Sequence, residues 1–247
     1  MAYIFDQDGN KLSFWELEED SNKDIIVNSI ADRLFQLAEH RTYSQQKVED
    51  SVEKYIFPVG ILLSRGDRGG EGENIYNQVR KSLIYWDKDS KNSFDLIFPG
   101  WSKEGEDVVF NTQEFIDFKN LIEKISKFTY LGETDLMLLN FIYEPGRKTE
   151  GPVGGLDFTQ VILLPIEKLL KNNVIRSIDG LMGEIISVAR KYEGDPDAGI
   201  WEISDELGLS RSRENFWTAL KAVFLNKFSK VITDAEPFLV LNLERKS

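Results

Sequence analysis

Two long apolar segments constrain the fold of this chain most strongly. TDLMLLNFIY at 134–143 and LDFTQVILLPI at 156–166 are rich in aliphatic and aromatic residues and are bounded by turn-forming residues. Such runs are typical of buried strands. The intervening segment, EPGRKTEGPVGG, is dense in glycine and proline, which indicates a loop. The sequence therefore predicts two antiparallel strands joined by a loop at 144–156.

A strand, a helix and a second strand are predicted upstream of that pair. VGILLS at 59–64 is an unbroken apolar run, and we expect Pro58 to mark its start. A stripe of apolar residues at helical spacing follows, and SFDLIFPGW at 93–101 indicates a second strand that ends in a Pro-Gly turn. A second crossover helix is predicted to begin after Asn111 as its N-cap, with Glu114 three residues later. This pattern predicts an α/β fold with a mixed, partly parallel sheet and flanking helices.

The two ends of the chain predict smaller units around this core. Asp-Gly between alternating apolar runs in AYIFDQDGNKLSFWELE indicates an N-terminal hairpin, which a helical segment follows. EGDPDAG at 193–199 is the best linker candidate, and the sequence after it predicts a mostly helical C-terminal appendage. We therefore expect an N-terminal unit at 1–57, a core at 58–193 and an appendage at 199–247, with one continuous domain as the alternative.

Composition and charge exclude several classes of site. The 247 residues include no cysteine and one histidine, His40, which removes disulfides, thiolate chemistry and multi-histidine metal sites. The net charge of −12 argues against a nucleic-acid-binding surface. The first residues lack the pattern of a signal peptide, and no run approaches 18 consecutive apolar residues. We expect a cytoplasmic protein with no membrane partner and no metal site formed by cysteine or histidine residues.

The glycine-rich loop SRGDRGGEGE lies between the first core strand and the next helix, which is the order of elements found at phosphate-binding sites. Its spacing does not match G-x-G-x-x-G, because Ile75 occupies the position of the third glycine, and the chain has no P-loop motif. In the site that we predict, Ser64 donates to an anion, and Arg65 and Arg68 neutralise it. Asp67 accepts from a ribose hydroxyl or holds a metal ion. The alternative is a solvated surface loop.

Acidic residues near the predicted strands are further candidates. Glu133 and Asp135 are two residues apart and share a face of an extended strand, as metal coordination or acid–base chemistry requires, although a solvated strand start is the simpler explanation. Asp157 is predicted to lie at the opposite end of the strand pair from Asp135. Asp95 lies within an apolar strand, where a buried carboxylate needs a partner unless the strand is at a sheet edge.

Tryptophans and the C-terminal segment give two weaker signals. Trp86, Trp101 and Trp201 lie near predicted turns, where they either line a pocket or interface or cap the core. ISDELGLSRSRENFWTALKAV has the glycine turn of a helix-turn-helix, but Glu214 stands where such motifs bury an aliphatic residue. An ordinary pair of packed helices is the preferred interpretation.

The order of ILLSRGD, a helix and a second strand is similar to that of flavodoxin-like and TIR-type nucleotide-binding modules. The tryptophan-linked glutamate motif of NAD-cleaving TIR domains is absent, and we assign the chain to neither family. The preferred hypothesis is an α/β module that binds a nucleotide or another phosphate-bearing small molecule at the strand ends. The alternative is a non-enzymatic interaction or regulatory subunit of a bacterial multi-protein system, such as antiviral defence. Such a subunit binds a protein partner through the 144–156 loop or the C-terminal helices.

Overall fold

The computed structural model describes residues 2–5, 11–13, 34, 36, 38–39, 54–65, 71–90, 93–104, 107–126, 128–145, 152–193, 195 and 199–200. The strands are β1 (Ala2–Phe5), β2 (Lys11–Ser13), β3 (Tyr55–Leu63), β4 (Asp95–Ile97), β5 (Trp101–Glu104), β6 (Asp107–Phe110), β7 (Asp135–Glu144) and β8 (Val153–Pro165). The longer helical segments are α1 (Glu71–Ser90), α2 (Thr112–Ile125), α3 (Ile166–Lys171) and α4 (Ile178–Lys191).

Six strands form one mixed sheet in the order β2-β1-β8-β7-β3-β4, and β5 and β6 form a separate antiparallel pair. β3 pairs with β4 in parallel, as β1 does with β8, and the remaining neighbours are antiparallel. The predicted α/β fold with a mixed sheet is therefore confirmed. β7 in the middle of the sheet is antiparallel to both neighbours, which distinguishes this sheet from the parallel sheets of flavodoxin-like folds.

The predicted strand–helix–strand unit is present as β3, α1 and β4, with the two strands parallel. The start of β3 differs from the prediction, because the strand begins at Tyr55 and contains Pro58. Pro58 pairs with Asn140 of β7, whereas β4 pairs with β3 only from Val59 onward. Among the described residues, no strand pairs with Pro58 on the β4 side of β3, and such a position tolerates the missing N–H.

The predicted cap and apolar face of α2 are both present. The Asn111 side-chain oxygen accepts hydrogen bonds from the backbone N–H groups of Gln113 (3.0 Å) and Glu114 (3.2 Å), which satisfies donors that a helix start leaves open. The buried residues recur at helical spacing and are Phe115, Phe118, Ile122 and Ile125. The expected second parallel crossover is wrong, because α2 leads into β7, which is antiparallel to β3.

Apolar side chains cover the sheet on two faces. Alternation along β7 places Met137, Leu139 and Phe141 on the face that packs against α2, which we call the α2 face. Leu136 and Leu138 lie on the opposite, α1 face, which packs against α1 and α4. The sheet core is thus enclosed between helices on both sides, which explains why its strands read as continuous apolar runs.

The two predicted hairpins are also present within the described residues. β1 and β2 are antiparallel, with Phe5 opposite Lys11, and β7 and β8 are antiparallel over most of their length. His40, most of the predicted N-terminal helical segment and residues 201–247 lie outside the described residues, although four positions between 34 and 39 are helical. In the described part of the chain, no helix has the length and apolar character needed to cross a membrane.

Candidate ligand site at the carboxyl edge of the sheet

Four elements meet at one edge of the sheet, which we call the carboxyl edge because β3, β4 and β8 end there. Leu63 at the end of β3 pairs with Asp135 at the start of β7, and Asp135 pairs with Pro165 at the end of β8. Because β3 and β4 are parallel neighbours, the start of the glycine-rich loop and the turn that precedes Trp101 lie at this same edge. Ligands of open α/β sheets bind outside such strand ends.

Buried hydrogen bonds hold the residue that follows β3. The Ser64 hydroxyl oxygen lies 3.2 Å from that of Thr134, and the indole N–H of Trp101 donates to the Ser64 carbonyl oxygen over 3.1 Å. Ser64 is only 1% exposed. Ser64, where the glycine-rich loop begins, is thus attached through its hydroxyl to the residue before β7. Its carbonyl attaches it to the segment after β4.

Thr134 extends this set of contacts to α3. Its backbone N–H donates to the carboxylate of Glu167 over 2.8 Å, and its carbonyl oxygen accepts from the N–H of Ile166 over 2.9 Å. Glu167 is buried in the first turn of α3. A buried polar group is costly unless it is hydrogen-bonded, and these bonds fix the start of β7 against the start of α3.

The predicted site residues divide into three groups. Ser64 lies at the carboxyl edge with its hydroxyl against Thr134, so its role as an anion donor stays a prediction. Arg65 is exposed at the same edge, six positions before α1 begins at Glu71. Asp67 and Arg68 lie outside the described residues.

A buried carboxylate occupies the start of β7. Asp135 is 6% exposed, and burial raises its pKa to about 7. The charge of Lys168 lowers this pKa, whereas the charges of Glu133 and Glu167 raise it further. The Lys168 ammonium lies 3.7 Å from the carboxylate of Glu133. Burial of an acid disfavours its charged form, so Asp135 differs in protonation from a surface aspartate near neutral pH.

The sequence identified only part of this charged group. Glu133 and Asp135 were candidates, although Glu133 lies in a bend before β7 rather than within the strand. Glu167 and Lys168 were missed because LDFTQVILLPI was interpreted as strand up to residue 166. A glutamate directly after Pro165 and Ile166 is the signal of a helix start that could have identified them. Within the described residues, no three acidic or histidine side chains are grouped so as to hold a metal ion.

The remaining candidates have structural positions in the described chain. Trp86 and Trp101 are buried in the core on the α1 face, as the core-capping interpretation expects, and Trp201 lies outside the described residues. Asp95 is buried even though β4 is the last strand of the sheet, so an edge position does not expose it. Asp157 pairs with Asn140 and is remote from Asp135, as predicted.

Comparison of the whole chain with protein-family models, with curated proteins and with solved structures gave no significant match.

Proposed function

We propose that the carboxyl edge of β3 and β4 binds a nucleotide or another phosphate-bearing small molecule. The observation that carries this proposal is the parallel β3–α1–β4 unit, whose glycine-rich connection starts at the fixed residue Ser64 and leads into the N-terminus of α1. The N-terminus of a helix favours an anion, because it presents unpaired N–H groups and the positive end of the helix dipole.

The proposed site combines a buried, hydrogen-bonded residue, Ser64, with an exposed charged residue, Arg65. Trp101 holds the backbone carbonyl of Ser64 and Thr134 contacts its hydroxyl, so the loop starts from a defined position, and such preorganisation reduces the entropy lost on binding. The exposed Arg65 supplies a guanidinium for phosphate oxygens. Arg68 is proposed to assist it, and Asp67 to accept from a ribose hydroxyl or hold a metal ion.

Acidic residues near the loop determine the form of the expected ligand. Asp67, Glu71 and Glu73 stand close to the two arginines in sequence, and the whole chain carries a net charge of −12. A bare phosphate is repelled by this charge, whereas Mg²⁺ bound to the nucleotide offsets it. We therefore expect binding of magnesium nucleotides to exceed binding of the free nucleotides.

Thermal unfolding of the full chain with ADP, ATP or NAD⁺, each with and without Mg²⁺, tests the proposal. A ligand that binds only the folded protein stabilises it by RT ln(1 + [L]/Kd), so the melting temperature rises as the ligand concentration increases. Arg65→Ala is expected to reduce that shift. Lys81→Ala is the matched control, since Lys81 is exposed on α1 about 15 Å along the helix from Glu71.

Absence of a shift with every nucleotide contradicts the proposal. An equal loss in Arg65→Ala and Lys81→Ala contradicts the location of the site. The interaction-subunit hypothesis has a separate expected result, namely that the full chain forms a stable complex with a protein partner and that removing residues 146–151 from the 144–156 loop weakens it.

A further inference from the structure

Asn140 is a buried amide on the sheet face that carries the apolar cluster packed against α1 and α4. It lies in the middle of β7 and is 5% exposed, and strand alternation places it on the α1 face with Leu136 and Leu138. Burial of an amide destabilises the fold unless its polar atoms are hydrogen-bonded. The position therefore requires a partner that comes from outside the strand.

That partner is the segment Gly199–Ile200, which begins at the last residue of the predicted linker. The Asn140 side-chain oxygen accepts from the backbone N–H of Ile200 over 2.9 Å. The Ile200 side chain is completely buried within the apolar cluster of the α1 face. One hydrogen bond and one buried side chain thus attach this segment to the sheet.

Close backbone approach at Gly199 is a third, independent feature of the same contact. A Cβ atom at this position would lie 2.7 Å from the Asn140 side-chain oxygen and 3.1 Å from Cγ2 of Ile56. Both distances are shorter than ordinary van der Waals contact, so the glycine is needed for the segment to reach Asn140. Glu193 and Asp195, which precede Gly199 within the predicted linker, are exposed.

The pairing of β7 and β8 changes at the same position. Leu139 pairs with Val161, but Asn140 pairs with Asp157, so β8 contains extra residues here. The Asp157 carboxylate accepts from the backbone N–H of Thr159 over 2.9 Å within this irregular stretch. Irregular pairing of this kind reorients side chains and bends the strand, and it lies next to the residue that receives the docked segment.

We propose that Asn140 is a latch residue that docks the chain at Gly199–Ile200 onto the α1 face and couples the C-terminal region to the central strand of the sheet. The chain after Ile200 consequently starts from a fixed point of the α/β core. β7 connects this point to the carboxyl edge, since Asp135 lies five residues, about 17 Å, along the same strand. Undocking the segment opens a buried position in the core and breaks none of the strand pairs formed by the described residues.

Amide hydrogen exchange of the full-length protein tests the latch. Asn140→Ala removes the acceptor, so the Ile200 amide should exchange at least about tenfold faster, as expected for local opening. The Val79 amide, in the buried face of α1, should be unchanged. The matched control is Asn120→Ala, at an exposed position of α2, which should alter neither amide.

Gly199→Ala tests the same contact without removing the buried amide. Its added Cβ displaces the segment from Asn140, so it should accelerate exchange at Ile200 as well. The variant with both substitutions should exchange no faster than Asn140→Ala alone, because the two changes break one contact. The proposal is overturned if Ile200 exchange is unaltered, if Val79 accelerates equally, or if the two substitutions act additively.

Discussion

Trp101 donates its indole N–H to the carbonyl oxygen of Ser64 over 3.1 Å, although the two residues are 37 positions apart. The bond connects the first residue after the β4 turn with the first residue after β3. It fixes the backbone carbonyl of Ser64, the residue at which the glycine-rich segment begins. The glycine spacing gives no such information, whereas this hydrogen bond shows that the backbone at the carboxyl edge is held in a defined position.

Trp101→Phe should destabilise the fold through this contact. Phenylalanine retains an aromatic ring but removes the N–H, so the buried Ser64 carbonyl loses a donor, which costs about 2 kcal/mol in the free energy of unfolding. Urea denaturation measures the change. Trp86→Phe serves as the control for lost ring volume in the same apolar cluster, and a cost in Trp101→Phe no greater than in Trp86→Phe would contradict the prediction.

Asp135 should make stability fall as pH rises from about 4 to about 7. Its pKa is about 7 in the folded protein, against 3.8 for an ordinary aspartate, so the folded state binds the proton more tightly. The stabilisation from this proton is present below pH 4 and is lost as pH rises through the folded pKa. Each unit of difference in pKa corresponds to about 1.4 kcal/mol.

Asp135→Asn is the variant that isolates this effect. The amide is uncharged at every pH, so the variant should be more stable than the wild type at pH 8 and equal to it near pH 4. Urea denaturation across this range measures both proteins, with exposed Glu184→Gln on α4 as the control. A wild type and variant that keep the same pH dependence would show that Asp135 is not the responsible group.

Glu123 should have the opposite pH dependence. Burial acts to raise its pKa, but the hydrogen bond from Lys119, the backbone N–H of Tyr130 and the Lys119 charge together lower it. The ammonium of Lys119 lies 2.7 Å from one carboxylate oxygen, and the Tyr130 N–H donates to the other over 2.8 Å. Stability from a lowered pKa is present at neutral pH and is lost as pH falls through the folded pKa.

Glu123→Gln should therefore lower the free energy of unfolding by about 0.5 kcal/mol at pH 7, because the amide can still accept from Tyr130 but carries no charge. The difference should become smaller as the pH is lowered toward 3, because protonation of Glu123 removes the charge that the amide lacks. Thermal unfolding at the two pH values is the measurement, and a difference that persists unchanged at pH 3 would assign the effect to packing.

Two glycines with positive φ should differ sharply in their tolerance of alanine. Gly100 (φ +76°) and Gly132 (φ +85°) both have left-handed backbones, and alanine in that region costs about 1 kcal/mol. Only Gly100 is crowded, since a Cβ there would lie 2.6 Å from the Asn111 carbonyl oxygen, whereas nothing lies within 4 Å at Gly132. Gly100→Ala should thus exceed Gly132→Ala by about 2 kcal/mol in urea denaturation. Equal costs would indicate that the turn before β5 can move.

Local patterns in the sequence were sufficient to predict a helix stabilised by local contacts and strands that are buried on both faces. Asn111 followed by Glu114 and a 3.6-residue apolar stripe predicted α2 because each signal acts within a few residues. The apolar runs around 134–143 and 156–166 predicted β7 and β8, since both faces of these strands are covered.

Contacts between distant segments were not accessible to such patterns. The pairing of β1 with β8 depends on Ala2 lying opposite Gly154, and nothing near either residue encodes the other. Glu167 and Lys168 lie near Asp135 for the same kind of reason. β8 is followed directly by the short helix α3, which brings these two residues to the start of β7. The position of Arg65 at the carboxyl edge could be predicted, whereas the burial of Ser64 depends on Thr134 and Trp101 from other elements.

The parallel pairing of β1 with β8 also sets the order in which the sheet is completed. β1 is synthesised about 150 residues before its partner, which at ribosomal rates corresponds to roughly 8–30 s. During that interval the β1–β2 hairpin has no larger sheet to join, and an isolated hairpin is marginally stable in water. β1 can therefore enter the sheet only after β8 has been synthesised, and it docks on an edge of β8 that must stay free of other strands until then.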